Sequence, residues 1–218
     1  MRLRDGLQYI FSPAIDMPGL TDGQKTSLQT DELITICKIN EKSTVLDIGS
    51  NQGGVIRGVL NTGCQVYAFE PHPMFFAELS AEFGENSNVH LSNKAVWKLN
   101  ETKDFYFKRS ATARNGGATL MFEKSNITDL SLKVPVDCVD VVEVIGALKS
   151  TGNVVLKMDV EGAEYEILNR LYDWGTHKKV DYFFLEDHSR KMLSPQWNSL
   201  KSSTLLKYQE AGISLYWW

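Results

Sequence analysis

The stretch from Thr44 to Gly54 constrains the fold of this chain more than any other. It reads Thr-Val-Leu-Asp-Ile-Gly-Ser-Asn-Gln-Gly-Gly, an apolar run that ends in Asp-x-Gly and continues into a glycine-containing turn. This pattern predicts a buried strand, a tight loop and then a helix. Such an apolar run suits a strand that is covered on both faces, as in a parallel sheet. Because ligands of open α/β sheets bind beyond the carboxyl ends of the strands, the loop is predicted to hold a nucleoside-like cofactor.

Strand-like and helix-like segments alternate on both sides of a middle region that does not alternate. The predicted strands lie at 44–49, 64–69 and 89–97 before this region and at 154–159, 180–185 and 213–218 after it. Within it, 105–107, 118–122 and 134–139 resemble short strands. The order predicts an α/β fold, Rossmann-like and doubly wound, with a mostly parallel sheet of about six to seven strands and a small β insertion around 101–140.

Length and composition bound the remaining possibilities. A chain of 218 residues suits one domain, which we place at 41–218 behind a helical and loop-rich lead-in at 1–40. The net charge of −4 gives no global basic field for nucleic acid. No apolar run approaches the ~20 residues of a membrane span, and the three cysteines lack the spacing of a zinc site. We therefore expect a cytoplasmic protein with no nucleic-acid or membrane partner.

Two acidic residues close the first two predicted strands, Asp47 and Glu70. Glu70 stands roughly 20 residues past the glycine turn, where an acid accepts hydrogen bonds from ribose hydroxyls in nucleotide-binding half-folds. The first loop is neither a P-loop nor GxGxxG, because Asn51 replaces the second glycine that a pyrophosphate would need. A carboxylate at Asp47 would repel pyrophosphate, and it could either order the loop or attract a cationic ligand group such as an amino-acid ammonium. S-adenosylmethionine, with an amino acid at one end and a ribose at the other, fits this description.

A second charged cluster, Lys-Met-Asp-Val-Glu-Gly-Ala-Glu at 157–164, closes a later predicted strand. Lys157 and Asp159 fall on the same side of that strand because side chains alternate along it. A buried lysine needs an acidic partner, in Asp159 or elsewhere. Such a pair suits a general base whose pKa is perturbed, and it equally suits an ion pair that only holds the turn.

The chain from about Ser43 to Gly212 resembles the FkbM-type methyltransferase family, a branch of the seven-stranded S-adenosylmethionine-dependent methyltransferases. The matching segments are V-L-D-I-G-S-N-Q-G at 45–53, A-F-E-P-H-P at 68–73, N-K-A-V at 93–96 and L-K-M-D-V-E-G-A-E at 156–164. The last is the most specific of the four. The resemblance implies an enzyme that methylates a hydroxyl oxygen on a sugar, a glycan or a small natural product. One departure is that the last predicted strand is the sixth, which leaves the usual antiparallel seventh strand without a segment.

The resemblance also implies which residues bind the cofactor. The methionine end would lie in the first loop, the ribose at Glu70 and the adenine near Asn93 and Ala95. The full implied set is Asp47, Gly49, Ser50, Asn51, Gly53, Glu70, Pro71, Asn93 and Ala95.

Methyl transfer mainly requires that the acceptor oxygen, the methyl group and the sulfur be aligned. A hydroxyl is a poor nucleophile at neutral pH, so a base or a metal ion would help. We expect Asp159 to be that base, with Lys157 orienting it and Glu161 beside it.

The next strand end, Glu186-Asp187-His188, is predicted to form a second wall of the site. Glu186 and His188 are expected to contact the substrate, and Arg114, in a polar loop, to close over it. His188 equally suits a surface or capping residue. Carboxylates from the two adjacent strand ends could hold Mg²⁺ through their oxygens.

Two other function classes stay open. A NAD-dependent oxidoreductase or epimerase is disfavoured, because the chain lacks both GxGxxG and a Tyr-x-x-x-Lys pair. A non-catalytic, cofactor-binding interaction module would use the apolar segment at 215–218 as an edge that pairs with a partner or with a second copy. That edge would also support a homodimer.

Overall fold

The computed structural model of this protein describes residues 3–4, 7–8, 19–108 and 117–218. In chain order the strands are β1 (Leu3–Arg4), β2 (Leu7–Gln8), β3 (Thr44–Ile48), β4 (Gln65–Phe69), β5 (Val89–Ser92), β6 (Ala95–Trp97), β7 (Glu101–Tyr106), β8 (Lys133–Asp140), β9 (Val154–Met158), β10 (Tyr182–Leu185) and β11 (Leu215–Trp217). The helices are α1 (Asp22–Cys37), α2 (Gly54–Val59), α3 (Pro73–Phe83), α4 (Val141–Ala147), α5 (Glu164–Asp173) and α6 (Gln196–Glu210). Short 3₁₀ turns lie at Leu60–Thr62, Thr176–Lys179 and Ser189–Lys191.

Six parallel strands form the central sheet in the order β11-β10-β9-β3-β4-β5. The chain winds outward from β3 to β5 and then, in the opposite direction, from β9 to β11. The expected Rossmann-like, doubly wound fold is therefore confirmed. The order reverses between β3 and β9, so the loops that follow these two strands lie side by side at the carboxyl edge, where ligands of such sheets bind. No antiparallel strand joins this sheet within the described ranges.

The sheet is covered on both faces, which explains the nearly continuous apolar sequence of its central strands. All five residues of β3 are buried, as are all five of β9. Val45 faces a core that also contains residues of α1, α2 and α3, whereas Leu46 and Ile48 face a second core with residues of α4 and α5. None of the helices in the described ranges combines the length and the apolar character that a membrane crossing requires.

The β insertion is a three-stranded sheet in the order β6-β8-β7, with β6 parallel and β7 antiparallel to β8. The continuous strand predicted at 89–97 is wrong, because the chain leaves the central sheet at Ser92 and enters the small sheet at Ala95. Asn93 lies at this change of sheet, and its side-chain amide donates to the carbonyl of Glu70 at 2.8 Å. This hydrogen bond holds the segment between β5 and β6 against the end of β4.

The short strand predicted at 118–122 is also wrong. Only an isolated bridge between Tyr106 and Thr119 forms there. The Thr119 hydroxyl donates to the backbone carbonyl of Glu161 at 2.8 Å. This bond draws the segment toward the carboxyl edge of the central sheet, away from strand pairing in the insertion.

Candidate functional site

A solvent-open pocket lies beyond the carboxyl ends of β3, β4 and β9. This is the place where small-molecule ligands of such sheets bind. The insertion supplies one wall and the segment after Gly117 another. The lining residues are Ile48, Gly49, Asn51, Phe69, Glu70, Pro71, His72, Phe75, Ala95, Val96, Phe105, Gly117, Ala118, Leu120, Asp159, Val160 and Glu161.

Gly49 is required where β3 ends. Its φ of +81° lies in the left-handed region, and a Cβ there would lie 1.9 Å from the backbone oxygen of Asp159. This close approach arises because the Asp159 N–H donates to the Ile48 carbonyl at 2.9 Å, which extends the β3–β9 pairing past both strands. Any side chain would push the two loops apart. Gly49 therefore sets the distance between the two sides of the pocket.

The carboxylate of Glu70 is held in the pocket wall by backbone donors. Its Oε2 accepts from the Asn51 N–H at 2.7 Å, and its Oε1 accepts from the His72 N–H at 2.8 Å. Asn51 reaches this position with a φ of +48°, which asparagine tolerates better than most residues. Burial raises the pKa of Glu70 to about 7, while the two backbone hydrogen bonds and Lys157 act in the opposite direction. We call Gly49, Asn51 and Glu70 the β3–β4 side of the pocket.

Asp47 and Lys157 form a buried ion pair behind the pocket wall. Lys157 Nζ lies 3.2 Å from Asp47 Oδ1 and donates to the Gly49 carbonyl at 2.9 Å. Burial acts to lower the pKa of Lys157, but the charges of Asp47 and Asp159 outweigh it and leave the pKa raised. The pair holds the ends of β3 and β9 together, so the structure joins Lys157 to Asp47 where the sequence also allowed Asp159.

Several residues predicted to bind the cofactor position the loops instead of lining the pocket. The Ser50 hydroxyl donates to the Asp47 carbonyl at 2.9 Å. A Cβ on Gly53, whose φ is +77°, would lie 2.8 Å from the side chains of Leu79 and Phe83. Asn93 holds the end of β4, as described above. Of the predicted cofactor set, the pocket is lined by Gly49, Asn51, Glu70, Pro71 and Ala95.

Acidic side chains from the ends of β9 and β10 surround one histidine. His188 Nε2 lies 3.1 Å from Glu161 Oε2, 3.2 Å from Glu186 Oε1 and 4.0 Å from Asp159 Oδ1. We call these four residues the β9–β10 side of the pocket. The structure thus brings together residues that the sequence placed on two separate strand ends, and it buries His188, which the sequence also allowed at the surface.

Charges on the β9–β10 side shift one another's pKa values strongly. Burial raises the pKa of Asp159 to about 7, helped by Glu186 and Glu161 and opposed by Lys157. Burial acts to lower the pKa of His188, but contacts with Glu164 and Glu186 raise it to about 10. Burial acts to raise the pKa of Glu186, but His188 holds it at about 2. The same negative potential that keeps a proton on His188 would attract other cations.

Asp187 does not join this cluster. The Asp187 carboxylate accepts from the Tyr165 hydroxyl and the Ser189 N–H, each at 3.0 Å, and pairs with Lys201. Arg114 falls outside the described residues.

Two site residues, Lys124 and His72, were not predicted from the sequence. Lys124 is fully buried, pairs with Glu161 and lies 3.4 Å from the Gly117 carbonyl. Burial lowers its pKa although Glu161 opposes the shift. No sequence signal points to Lys124, since it follows an irregular segment. His72 caps α3 by accepting from the Met74 N–H at 3.2 Å, and the His-Pro that opens α3 could have indicated it.

A model of the family described as the methyltransferase FkbM domain matches residues 47–203, which is more than half of the chain. No curated protein matches the chain significantly. Among solved structures, coclaurine N-methyltransferase bound to N-methylheliamine and SAH is similar over 72% of this chain, with 12% identity and a TM-score of 0.36. The matched part spans 35% of that protein, and a similarity this low supports no statement about function.

Proposed function

The chain belongs to the methyltransferase FkbM domain family, and on that premise we propose that it transfers the methyl group of S-adenosylmethionine to a hydroxyl oxygen of a sugar, a glycan or a small natural product. The observation that carries the proposal is the buried Glu70 carboxylate in a pocket at the point where the strand order reverses. An acid in that place suits the ribose diol of a nucleoside cofactor.

The β3–β4 side supports a cofactor with a ribose. Each oxygen of Glu70 already accepts one backbone N–H, and each keeps capacity to accept a second hydrogen bond from a diol. The backbone donors fix the carboxylate before any ligand arrives, so little ordering cost is left for binding. Ala95 and Phe75 add apolar surface to the same pocket, which suits a purine ring.

The β9–β10 side supports proton removal from an acceptor. Methyl transfer forms a bond between the acceptor oxygen and the methyl carbon, breaks the sulfur–methyl bond and leaves the hydroxyl proton to be taken up. Asp159 lines the pocket, and a carboxylate with a pKa near 7 accepts a proton more readily than an ordinary aspartate. Lys157 keeps the end of β9 in register through Asp47, which makes it a positioning residue in this scheme.

Calorimetry with S-adenosylmethionine, S-adenosylhomocysteine and NAD tests the cofactor. We expect both adenosyl compounds to bind with a stoichiometry of one and NAD not to bind. Tighter binding of NAD would overturn the proposal in favour of an oxidoreductase, and no binding of any of the three would favour an interaction module.

A mass-spectrometric screen with methyl-labelled S-adenosylmethionine tests the reaction class. We expect label in a methyl ether of a hydroxylated acceptor. Label only on nitrogen or carbon would contradict the assignment of oxygen as the nucleophile while leaving the cofactor assignment intact.

A further inference from the structure

The two ring nitrogens of His188 have different surroundings. The side chain is 1% exposed. Nδ1 lies 2.9 Å from Oε1 of Glu164, an equally buried carboxylate that also accepts from the Gly162 N–H at 3.0 Å. Nε2 makes no hydrogen bond of good geometry among the described residues, although ion-pair contacts place it 3.1 Å from Glu161 Oε2 and 3.2 Å from Glu186 Oε1. A histidine that a carboxylate orients through one nitrogen, with its other nitrogen aimed into an acidic cluster, has the arrangement of a metal ligand.

The carboxylates around Nε2 complete a plausible ligand set. Oδ1 of Asp159 is buried and has no hydrogen-bond partner within residues 19–108 and 117–218. One ligand atom from each of Asp159, Glu161 and His188 lies within 4.8 Å of the others. Two ligands bound to one ion at about 2.1 Å lie roughly 3.0 to 4.2 Å apart, from a right angle to a straight line. The separations of Nε2 from Glu161 Oε2, 3.1 Å, and from Asp159 Oδ1, 4.0 Å, fall in this range.

The charges of the cluster favour an added cation. The carboxylates of Asp159, Glu161, Glu164 and Glu186 all contact or approach His188. Lys124 offsets part of the charge on Glu161, and Lys157 is paired with Asp47. About three negative charges are left, and a divalent ion that replaces the proton on Nε2 of His188 would offset two of them.

We propose that Asp159, Glu161 and His188 bind a divalent transition-metal ion at the edge of the pocket, with Glu164 orienting His188 and Glu186 available as a fourth ligand. A nitrogen ligand with two carboxylates suits Mn²⁺ and its heavier neighbours better than Mg²⁺, which prefers oxygen ligands alone. The proposal thus revises the ion expected from the sequence. Asp159 and Glu161 also line the pocket, so the ion would lie where it can lower the pKa of an acceptor hydroxyl. With the ion bound, Asp159 would act as its ligand, and the ion would replace Asp159 as the group that promotes loss of the hydroxyl proton. That role rests on the proposed function, whereas binding of the ion does not.

Binding of Mn²⁺ to the chelator-treated full chain tests the site without S-adenosylmethionine or any acceptor. Electron paramagnetic resonance measures free Mn²⁺, and pulsed experiments detect coupling to a ligating ¹⁴N. We expect one Mn²⁺ per chain with one histidine nitrogen bound. His188→Gln should remove the nitrogen coupling and weaken binding more than tenfold. His90→Gln, on an exposed residue of β5, is the matched control and should change neither.

A second variant distinguishes a metal site from a purely structural ion-pair cluster. Glu164→Gln keeps the size of the side chain and removes the charge that orients His188, so it should weaken Mn²⁺ binding about 10-fold to 100-fold while the nitrogen coupling persists. A cooperative denaturant unfolding transition like that of the parent chain shows that each variant is folded. No Mn²⁺ binding by the parent chain, unchanged binding after His188→Gln, or tighter binding of Mg²⁺ than of Mn²⁺ would overturn the proposal.

Discussion

The two sides of the pocket are held by different kinds of interaction. On the β3–β4 side, backbone N–H groups bind the carboxylate of Glu70. On the β9–β10 side, charged side chains contact one another around His188. Backbone donors are present whatever the side chains are, so the first side depends on the path of the chain. The second depends on the identity of each charged residue and on bound protons and ions. The first suits a rigid cofactor site, and the second suits a site that takes part in chemistry.

The largest expected loss of stability is at Gly49, where the two sides of the pocket meet. Gly49→Ala would place a methyl group 1.9 Å from the Asp159 carbonyl oxygen in a left-handed backbone conformation. We expect it to lower the free energy of unfolding by about 4 kcal/mol, from strain and overpacking together. Denaturant titration measures this loss. Gly146→Ala, in α4 with open space around it, is the control and should instead stabilise by ~0.5–1 kcal/mol. Equal effects of the two changes would show that the sides are not packed this closely.

Asp159→Asn should reduce turnover without weakening cofactor binding, and so distinguish the role of the β9–β10 side from that of the β3–β4 side. The amide keeps the shape of the side chain but no longer accepts a proton, so we expect turnover to fall ~10²-fold to 10⁴-fold. The affinity for S-adenosylhomocysteine, measured by calorimetry, should change little because the β3–β4 side is untouched. Asp137→Asn, at an exposed position of β8, serves as the control. Parallel losses of turnover and affinity would assign Asp159 to the cofactor site.

Glu70→Ala is the corresponding test of the β3–β4 side. It would leave the N–H groups of Asn51 and His72 without their acceptor, and the cofactor without its partner. We expect cofactor binding to weaken by about 1–3 kcal/mol in calorimetry. Glu85→Ala, at an exposed site just after α3, should leave the affinity unchanged. An unaltered affinity in the Glu70 variant would refute the ribose contact.

The smallest expected effect is a pH dependence of stability and of cofactor affinity that arises from Glu70 on the β3–β4 side. Burial raises the pKa of Glu70 from 4.5 to about 7, with smaller effects from the charges of Lys157 and Asp47. The folded state therefore holds the proton more tightly than the unfolded chain does. This contribution to the free energy of unfolding is present below pH 4.5 and is lost as the pH rises through 7. Cofactor affinity should change in the opposite direction, since only the ionised carboxylate accepts from both ribose hydroxyls. We expect it to fall up to about tenfold per unit below pH 7. Glu70→Gln should flatten the affinity profile and reduce the slope of the stability profile, to which Asp159 also contributes. A parent-like affinity profile in that variant would assign it to another group.

The β3–β4 side could be predicted almost entirely from local sequence. Gly49, Asn51 and Glu70 follow or end apolar runs whose strand character is plain, and parallel pairing then brings the strand ends together. The four residues of the β9–β10 side were also named from the sequence, on two separate strand ends, but their mutual contacts were not predicted. Lys124, which pairs with Glu161, was missed because it lies in an irregular segment that no periodicity describes.

The sequence by itself determined the alternation of strands and helices, the doubly wound parallel sheet and the edge at which the pocket opens, because burial on both faces dictates the apolar pattern of central strands such as β3 and β9. Only the tertiary structure decided how the charges pair: Lys157 with Asp47, and His188 with Glu164 on one nitrogen and the acidic cluster on the other. Such pairing depends on distances of a few ångströms between residues far apart in the chain. The change of strand partner after Ser92 was fixed in the same way, by contacts with β8 that local propensity does not encode.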